Sequence, residues 1–348
     1  MAFEFNGLKA LERAGFDMVI DVRSPSEFAE DHVPGAVNLP VLSEEELARV
    51  GTIYVQDSPF KARKIGSALG AKNAARHLEG PLAEMEGGWR PLVYCWRGGQ
   101  RSGSFATILS QVGWRAETLV GGYQSYRRFV VNSLYDSAFP ARVVLLDGNT
   151  GTAKTELLAR LGGLGIQVLD LEGRANQRGS ALGAQGAQPS QKGFESRLAE
   201  AIAALDFSRP VVIEAESSRI GRLNLPPGVC AAMIAALRLE VSAPVATRAQ
   251  YLCQAYADLV AHTDLLVERL THLTRLQGHA RVERWTGMAR EGAHLTLAEE
   301  LIRDHYDPRY AKLRGAGVGE VVAFRAETLD TDGIDTLARQ IAAHVSGL

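Results

Sequence analysis

The chain has 348 residues, of which 46% are hydrophobic and 22% charged, and its formal net charge is −2. That length accommodates two ordinary domains with separate cores, and the composition excludes a disordered chain. The near-neutral balance excludes a uniformly basic nucleic-acid binder, so a polyanionic partner has to meet a local basic patch.

Three cysteines (Cys95, Cys230, Cys253) exclude a disulfide framework, and none has Cys-x-x-Cys or zinc spacing. The segment MAFEFNGLKALERAG lacks the basic and apolar regions of a signal peptide. No apolar run reaches the roughly 18 residues of a membrane span; the longest, Val229 to Leu237, gives way to Arg238 and Glu240. The expectation is a cytoplasmic chain with no membrane partner. The sequence says nothing of oligomeric state.

In chain order, Asp17–Arg23 (DMVIDVR) and Pro91–Trp96 (PLVYCW) are buried-strand segments that each run into a polar loop. Between them SEEELARV is a capped helix, with Ser43 at the N-cap and Glu46 three residues on. Strands alternating with helices predict a parallel α/β sheet, whose functional loops lie at the carboxyl ends of strands. The polar stretch NSLYDSAFPAR, ending near Pro140, reads as a linker. The expected division is therefore a domain over 1–132, a linker over 133–141 and a second domain over 142–348.

The second domain restarts with the apolar strand Arg142–Gly148, then a helix, then strand segments at Gly165–Gly173 and Arg209–Ser217. A Gly/Ala/Gln/Ser-rich loop separates the last two. The region of about 248–314 is helical and rich in Arg and His; Leu266, Leu270 and Leu273 share one face there. A strand, EVVAF, and a helix, GIDTLARQIAAHV, close the chain. The fold class expected is α/β: a parallel-sheet domain, then a phosphate-loop αβα domain with a helical C-terminal portion.

Two loops carry chemistry. In the first, Cys95 leaves a strand and is followed by Trp96, Arg97, Gly98, Gly99, Gln100 and Arg101, after which a helix begins. Backbone N–H groups and a helix N-terminus surround the sulfur in such a turn. They lower a thiol from about 8.5 to roughly 3.5–7.5 and expose a thiolate nucleophile. Arg97 and Arg101 add positive charge for an anionic substrate. A buried core cysteine is the bland alternative, but it has no need of two arginines and two glycines beside it.

In the second loop Gly148, Asn149, Thr150, Gly151, Thr152, Ala153, Lys154 and Thr155 lie between a strand and a helix, as a Walker A loop requires. Its amides bind phosphate oxygens, Lys154 neutralises charge and Thr155 offers a hydroxyl to Mg²⁺. Ala153 stands where the consensus has glycine and restricts the backbone. Glu214, with Asp170 second, is the candidate acid to support the metal.

The segments DVRSPSEFAEDHVPGAVNLP, YCWRGGQRS and LVGGYQSYR resemble the rhodanese domain, with Cys95 at its persulfide-forming position. The arginine at Arg101 is one residue farther from the cysteine than in many rhodaneses, a spacing shared with cysteine phosphatases. Those have His where this chain has Tyr94, which favours sulfur or selenium chemistry. Adding GNTGTAKTELL, DLEGRANQRGS, QPSQKGFE, EAESSRIG and DHYDPRY, the whole chain resembles the tRNA 2-selenouridine synthase family.

That resemblance implies a tRNA substrate whose wobble 2-thiouridine is geranylated from geranyl diphosphate. The sulfur is then replaced by selenium from selenophosphate. It implies the diphosphate on the phosphate loop with Mg²⁺, and selenium delivery at Cys95. Arg174 and Arg178 are candidate tRNA contacts; the arginines of the helical region interleave with acids and read equally as a salt-bridged face. Two other readings stay open: a thiosulfate-type sulfurtransferase with a regulatory phosphate-loop domain, and a P-loop NTPase or kinase with a rhodanese sensing module.

Overall fold

The computed structural model describes residues 2–177, 187–314 and 320–348. Two compact units emerge: Met1–Ser137 with Pro189–Ala204, and Ala138–Gln188 with Leu205–Leu348.

The first unit is built on an all-parallel sheet of β1 (Ala2–Phe3), β2 (Met18–Asp21), β3 (Val37–Asn38), β4 (Pro91–Tyr94) and β5 (Glu117–Leu119), in the order β1-β5-β4-β2-β3. β4 is the central strand and is buried throughout, as a continuous apolar run in a covered parallel sheet requires. The helix Glu44–Gln56 carries the expected capping box between Ser43 and Glu46. The edge strands β1 and β3 have two residues each and β5 has three, too short to show a period of two in the sequence.

The expected division between domains differs from the units in two places. The helix Tyr123–Tyr135 runs beyond position 132, because Leu134 is buried in the first unit and the Tyr135 hydroxyl donates to Glu195 at 2.7 Å. The helix Gln191–Ala204, expected in the second domain, packs on the first unit. It buries Phe194 and Leu198 completely. Glu195 pairs with Arg127, and the Ser196 hydroxyl donates to Asp31 at 2.8 Å.

The second unit has an all-parallel sheet of β6 (Val143–Gly148), β7 (Gln167–Leu169), β8 (Val211–Glu214), β11 (Leu237–Ser242) and β12 (Val321–Arg325), in the order β12-β11-β6-β8-β7. A small antiparallel pair, β9 (Arg219–Ile220) and β10 (Leu223–Asn224), stands apart. β11 was not expected, since Arg238 and Glu240 interrupt its apolar residues. Arg238 is satisfied inside the sheet by Asp147 on β6, at 2.5 Å.

Helices from Val245 to Arg314 form a separate apolar cluster that includes Leu266, Leu270, Leu273 and Trp285. The final helix, Thr331–Ser346, packs Ile334, Leu337 and Ile341 against the second sheet. Among the described residues no helix is long and apolar enough to cross a membrane.

Candidate functional site

Cys95 stands just beyond the carboxyl end of β4, and the helix Gln100–Val112 starts five residues later. The loop between them turns through Gly98, at φ +66°, against Gly121 and Gly122. A Cβ on Gly122, itself at φ +57°, would overlap the Cys95 carbonyl. The Tyr123 and Gln124 amides donate to the carbonyls of Cys95 and Trp96 at 2.9 and 3.1 Å. The glycines of LVGGYQSYR thus let a second loop close under the first.

The sulfur accepts hydrogen bonds from the Gly99 amide at 3.3 Å and the Ser102 hydroxyl at 3.2 Å. Burial by itself pushes the thiol up. The Ser102 hydroxyl and amide, the Gly99 amide and the Arg101 charge outweigh it and hold Cys95 below the ordinary thiol range. The sulfur thus has an amide donor at Gly99, and a hydroxyl donor at Ser102, a residue that had no role in the sequence analysis.

The two arginines differ. Arg97 is exposed, whereas Arg101 is paired with Glu27 at 2.8 Å. Glu27 is also the N3 residue of the capping box that starts the helix Pro25–Glu30, so one carboxylate fixes a helix start and aims an arginine. Gly99 and Gln100 are exposed and Trp96 half-buried at the mouth, with Lys192 Nζ 6.0 Å from the Trp96 ring.

Asp21 and Arg23 form a buried pair at 2.6 Å, and the Arg23 guanidinium lies 4.0 Å from the Tyr123 ring centroid. These motif residues brace the loop from behind and do not reach the sulfur. The Tyr94 hydroxyl is used in the same way, accepting from the Val33 amide at 3.1 Å.

In the second unit, β6 ends in the phosphate loop and the helix Lys154–Gly163 begins at its lysine. Ala153 sits at φ 60°, ψ 28°, the left-handed region that glycine occupies in the consensus. The substitution leaves the loop shape intact and places roughly 1–2 kcal/mol of backbone strain there. Lys154 Nζ donates to the Gly148 carbonyl at 2.6 Å and faces the Tyr310 ring at 5.4 Å.

Asp307 reaches the loop from the other side. It accepts from Asn149 Nδ2 at 2.9 Å and holds the buried Arg248, which also donates to the Thr150 carbonyl at 3.2 Å. The DHYDPRY segment, which had no chemical assignment from sequence, thus supplies two residues to the loop's surroundings.

Beside Thr155 lies a carboxylate cluster. The Thr155 hydroxyl is 3.5 Å from Glu172 Oε2. Glu214 Oε1 accepts from the Leu171 and Glu172 amides at 2.5 and 2.7 Å, while its buried Oε2 has no hydrogen-bond partner. Burial above all, with the charges of Asp170 and Glu172, raises Glu214 to about 8. Burial and the neighbouring Glu172 likewise raise Glu216. Asp170 instead caps the short helix Leu171–Arg174, accepting from the Gly173 amide at 2.7 Å. Glu172 and Glu216 escape sequence reasoning because each stands at the polar end of an expected strand segment, where an acid looks solvated.

Of the candidate tRNA contacts, Arg174 is half-buried at the end of that helix, and Arg178 lies outside the described residues. In the helical region Arg284 pairs with Glu300, Arg303 with Glu299 and Arg281 with Asp304.

Residues 6–128 match the family described as the rhodanese-like domain, and residues 141–270 match the tRNA 2-selenouridine synthase AAA domain. A tRNA 2-selenouridine synthase of Aeromonas salmonicida is 32% identical, over 94% of this chain and 95% of its own. That of Psychromonas ingrahamii is 32% identical over 84% and 86%, and that of Verminephrobacter eiseniae 33% over 87% and 91%. With both domains matched and similarity running through nearly the whole length, the chain belongs to the tRNA 2-selenouridine synthase family.

Proposed function

We propose that this chain modifies tRNA in two steps, first geranylating the sulfur of a wobble 2-thiouridine and then exchanging that sulfur for selenium. The observation that supports it best is the presence in one chain of two separate anion-handling loops, one nucleophilic and one of Walker type. The order follows from leaving-group chemistry: a thiocarbonyl sulfur departs poorly, whereas an S-geranyl group departs as a thiol.

In the first step the 2-thiouridine sulfur attacks C1 of geranyl diphosphate, a C–S bond forms, the C–O bond breaks with loss of diphosphate, and the N3 proton of the base is released to solvent. The amides of Gly148–Thr155 and Lys154 stabilise the charge that develops on the departing group. Magnesium fits this loop. It is bound through one or two carboxylates and substrate phosphates, keeping several waters. Thr155, Glu172 and the unpartnered Glu214 Oε2 offer that donor set. When bound, it would neutralise diphosphate charge. Asp170, committed to a helix cap, serves by its charge on Glu214.

In the second step selenophosphate binds at the Cys95 loop, where the Gly99 amide, Arg97 and Arg101 favour an anion. The Cys95 thiolate attacks phosphorus, a P–S bond forms as the P–Se bond breaks, and selenium is delivered as selenide. One C–Se bond forms, one C–S bond breaks, water takes the phosphoryl group from the Cys95 sulfur, and geranyl thiol leaves. No external oxidant or reductant is required.

The test is incubation of the purified chain with 2-thiouridine tRNA and geranyl diphosphate, followed by mass analysis of nucleosides. S-geranyl-2-thiouridine is expected from the unmodified chain and not from Lys154→Ala. Its absence with the unmodified chain, alongside cyanide-dependent sulfur transfer indifferent to tRNA, would instead establish the sulfurtransferase reading.

A further inference from the structure

An apolar pocket adjoins the phosphate loop within the second unit. Thr150 of the loop forms part of its wall, and Leu252, Cys253, Leu266, Leu297 and Leu301 form much of the rest. It holds about 520 Å³ including its open mouth. Loop and pocket are in direct contact: Gly151, at φ +86°, lies so close to the helix Val245–Ala255 that a Cβ there would stand 3.1 Å from Leu252 Cγ.

Two buried polar atoms on this wall lack hydrogen-bond partners, the Thr150 hydroxyl and His294 Nδ1. Thr150 is only 5% exposed. Leaving such a group unsatisfied is costly, about 1–3 kcal/mol, and the Thr150 hydroxyl lies where the phosphate loop meets the hydrocarbon wall.

Resting on the reading of Gly148–Thr155 as a diphosphate site, we infer that this pocket holds the hydrocarbon chain of a prenyl diphosphate. The diphosphate lies on the loop amides and Lys154, the chain runs past Thr150, and the leucines cover it. A nucleotide fits the wall poorly. Its base and ribose need several hydrogen-bonding partners, and apolar side chains dominate the pocket. The wall therefore sets which phosphate ester the loop accepts, and the pocket rewards an apolar tail in proportion to the area it covers.

The test measures binding of geranyl diphosphate, inorganic pyrophosphate and ATP to the full-length chain and to Cys253→Trp, which fills the pocket from its half-buried rim. Geranyl diphosphate should bind the unmodified chain at least tenfold more tightly than pyrophosphate. Cys253→Trp should remove that advantage and leave pyrophosphate unchanged. An advantage that survives in Cys253→Trp, or a weakening confined to ATP, overturns the assignment. Should that variant fold poorly, maleimide labelling of Cys253 in a Cys95→Ala, Cys230→Ala background gives an independent readout. Geranyl diphosphate should slow it at least tenfold and pyrophosphate should not; equal slowing by both contradicts the pocket. If Lys154→Ala leaves both affinities unchanged, the diphosphate reading itself fails, which neither of those results would show.

Discussion

Arg248 and Asp307 meet in a two-point ion pair, Nη1 to Oδ1 at 2.9 Å and Nη2 to Oδ2 at 2.6 Å. The same carboxylate holds Asn149 of the phosphate loop. The pair ties two helices of the Arg-rich region to that loop. Arg248 is 4% exposed, so Asp307→Ala should leave a buried cation without its partner and cost about 3 kcal/mol. A double variant, Arg248→Met with Asp307→Ala, should be more stable than Asp307→Ala alone, because no orphaned charge remains. Thermal denaturation of the three proteins tests this; equal melting of Asp307→Ala and the unmodified chain would contradict it.

Ser102 donates its hydroxyl to the Cys95 sulfur at 3.2 Å, whereas Arg101 acts on it only through its charge and is itself paired with Glu27. Alkylation by iodoacetamide should therefore follow a thiolate titration whose midpoint lies below that of a free thiol. Ser102→Ala should move the midpoint upward, since burial would then act with less opposition. Arg101→Ala should move it less. An unmoved midpoint in Ser102→Ala would show that the amides alone hold the thiolate.

Gly122 supports the same loop sterically. Gly122→Ala adds a methyl group against the Cys95 carbonyl at a positive φ, so it should cost well over ~1 kcal/mol and lower alkylation of Cys95. Gly103→Ala, on an open face of the next helix, is the matched control and should change neither. Melting temperatures and alkylation rates of the two variants decide.

Much of both sites was readable because loop chemistry is local. Cys95, its glycines and the Gly148–Thr155 run are contiguous, and strand, loop and helix follow one another in each. The partners that complete the sites are remote in sequence. Glu27 is 74 residues from Arg101 and Asp307 is 158 from Asn149; no periodicity brings them together. β11 escaped because Arg238 and Glu240 look solvent-facing until Asp147 is seen beside Arg238. The helix Gln191–Ala204 escaped for a similar reason. Glu195 reads as a surface acid, yet it is 2% exposed against Arg127 and Tyr135 of the same unit, some 60 residues earlier in the chain.

That helix gives a further prediction. Glu195→Ala removes charge-assisted hydrogen bonds from Arg127 and Tyr135, a loss of about 2–3 kcal/mol. Limited proteolysis should then cut near residues 187–204 faster than in the unmodified chain, while Cys95 alkylation continues. Unchanged cutting would mean that Phe194 and Leu198 alone hold the helix in place.

Selenium delivery at Cys95 and prenyl transfer at the phosphate loop are separated most directly by one measurement. Cys95→Ala is incubated with 2-thiouridine tRNA, geranyl diphosphate and selenophosphate, and the nucleosides are resolved by mass. S-geranyl-2-thiouridine should accumulate and 2-selenouridine should be absent. A folded Cys95→Ala protein that makes neither nucleoside, or that still makes 2-selenouridine, would contradict the division of labour.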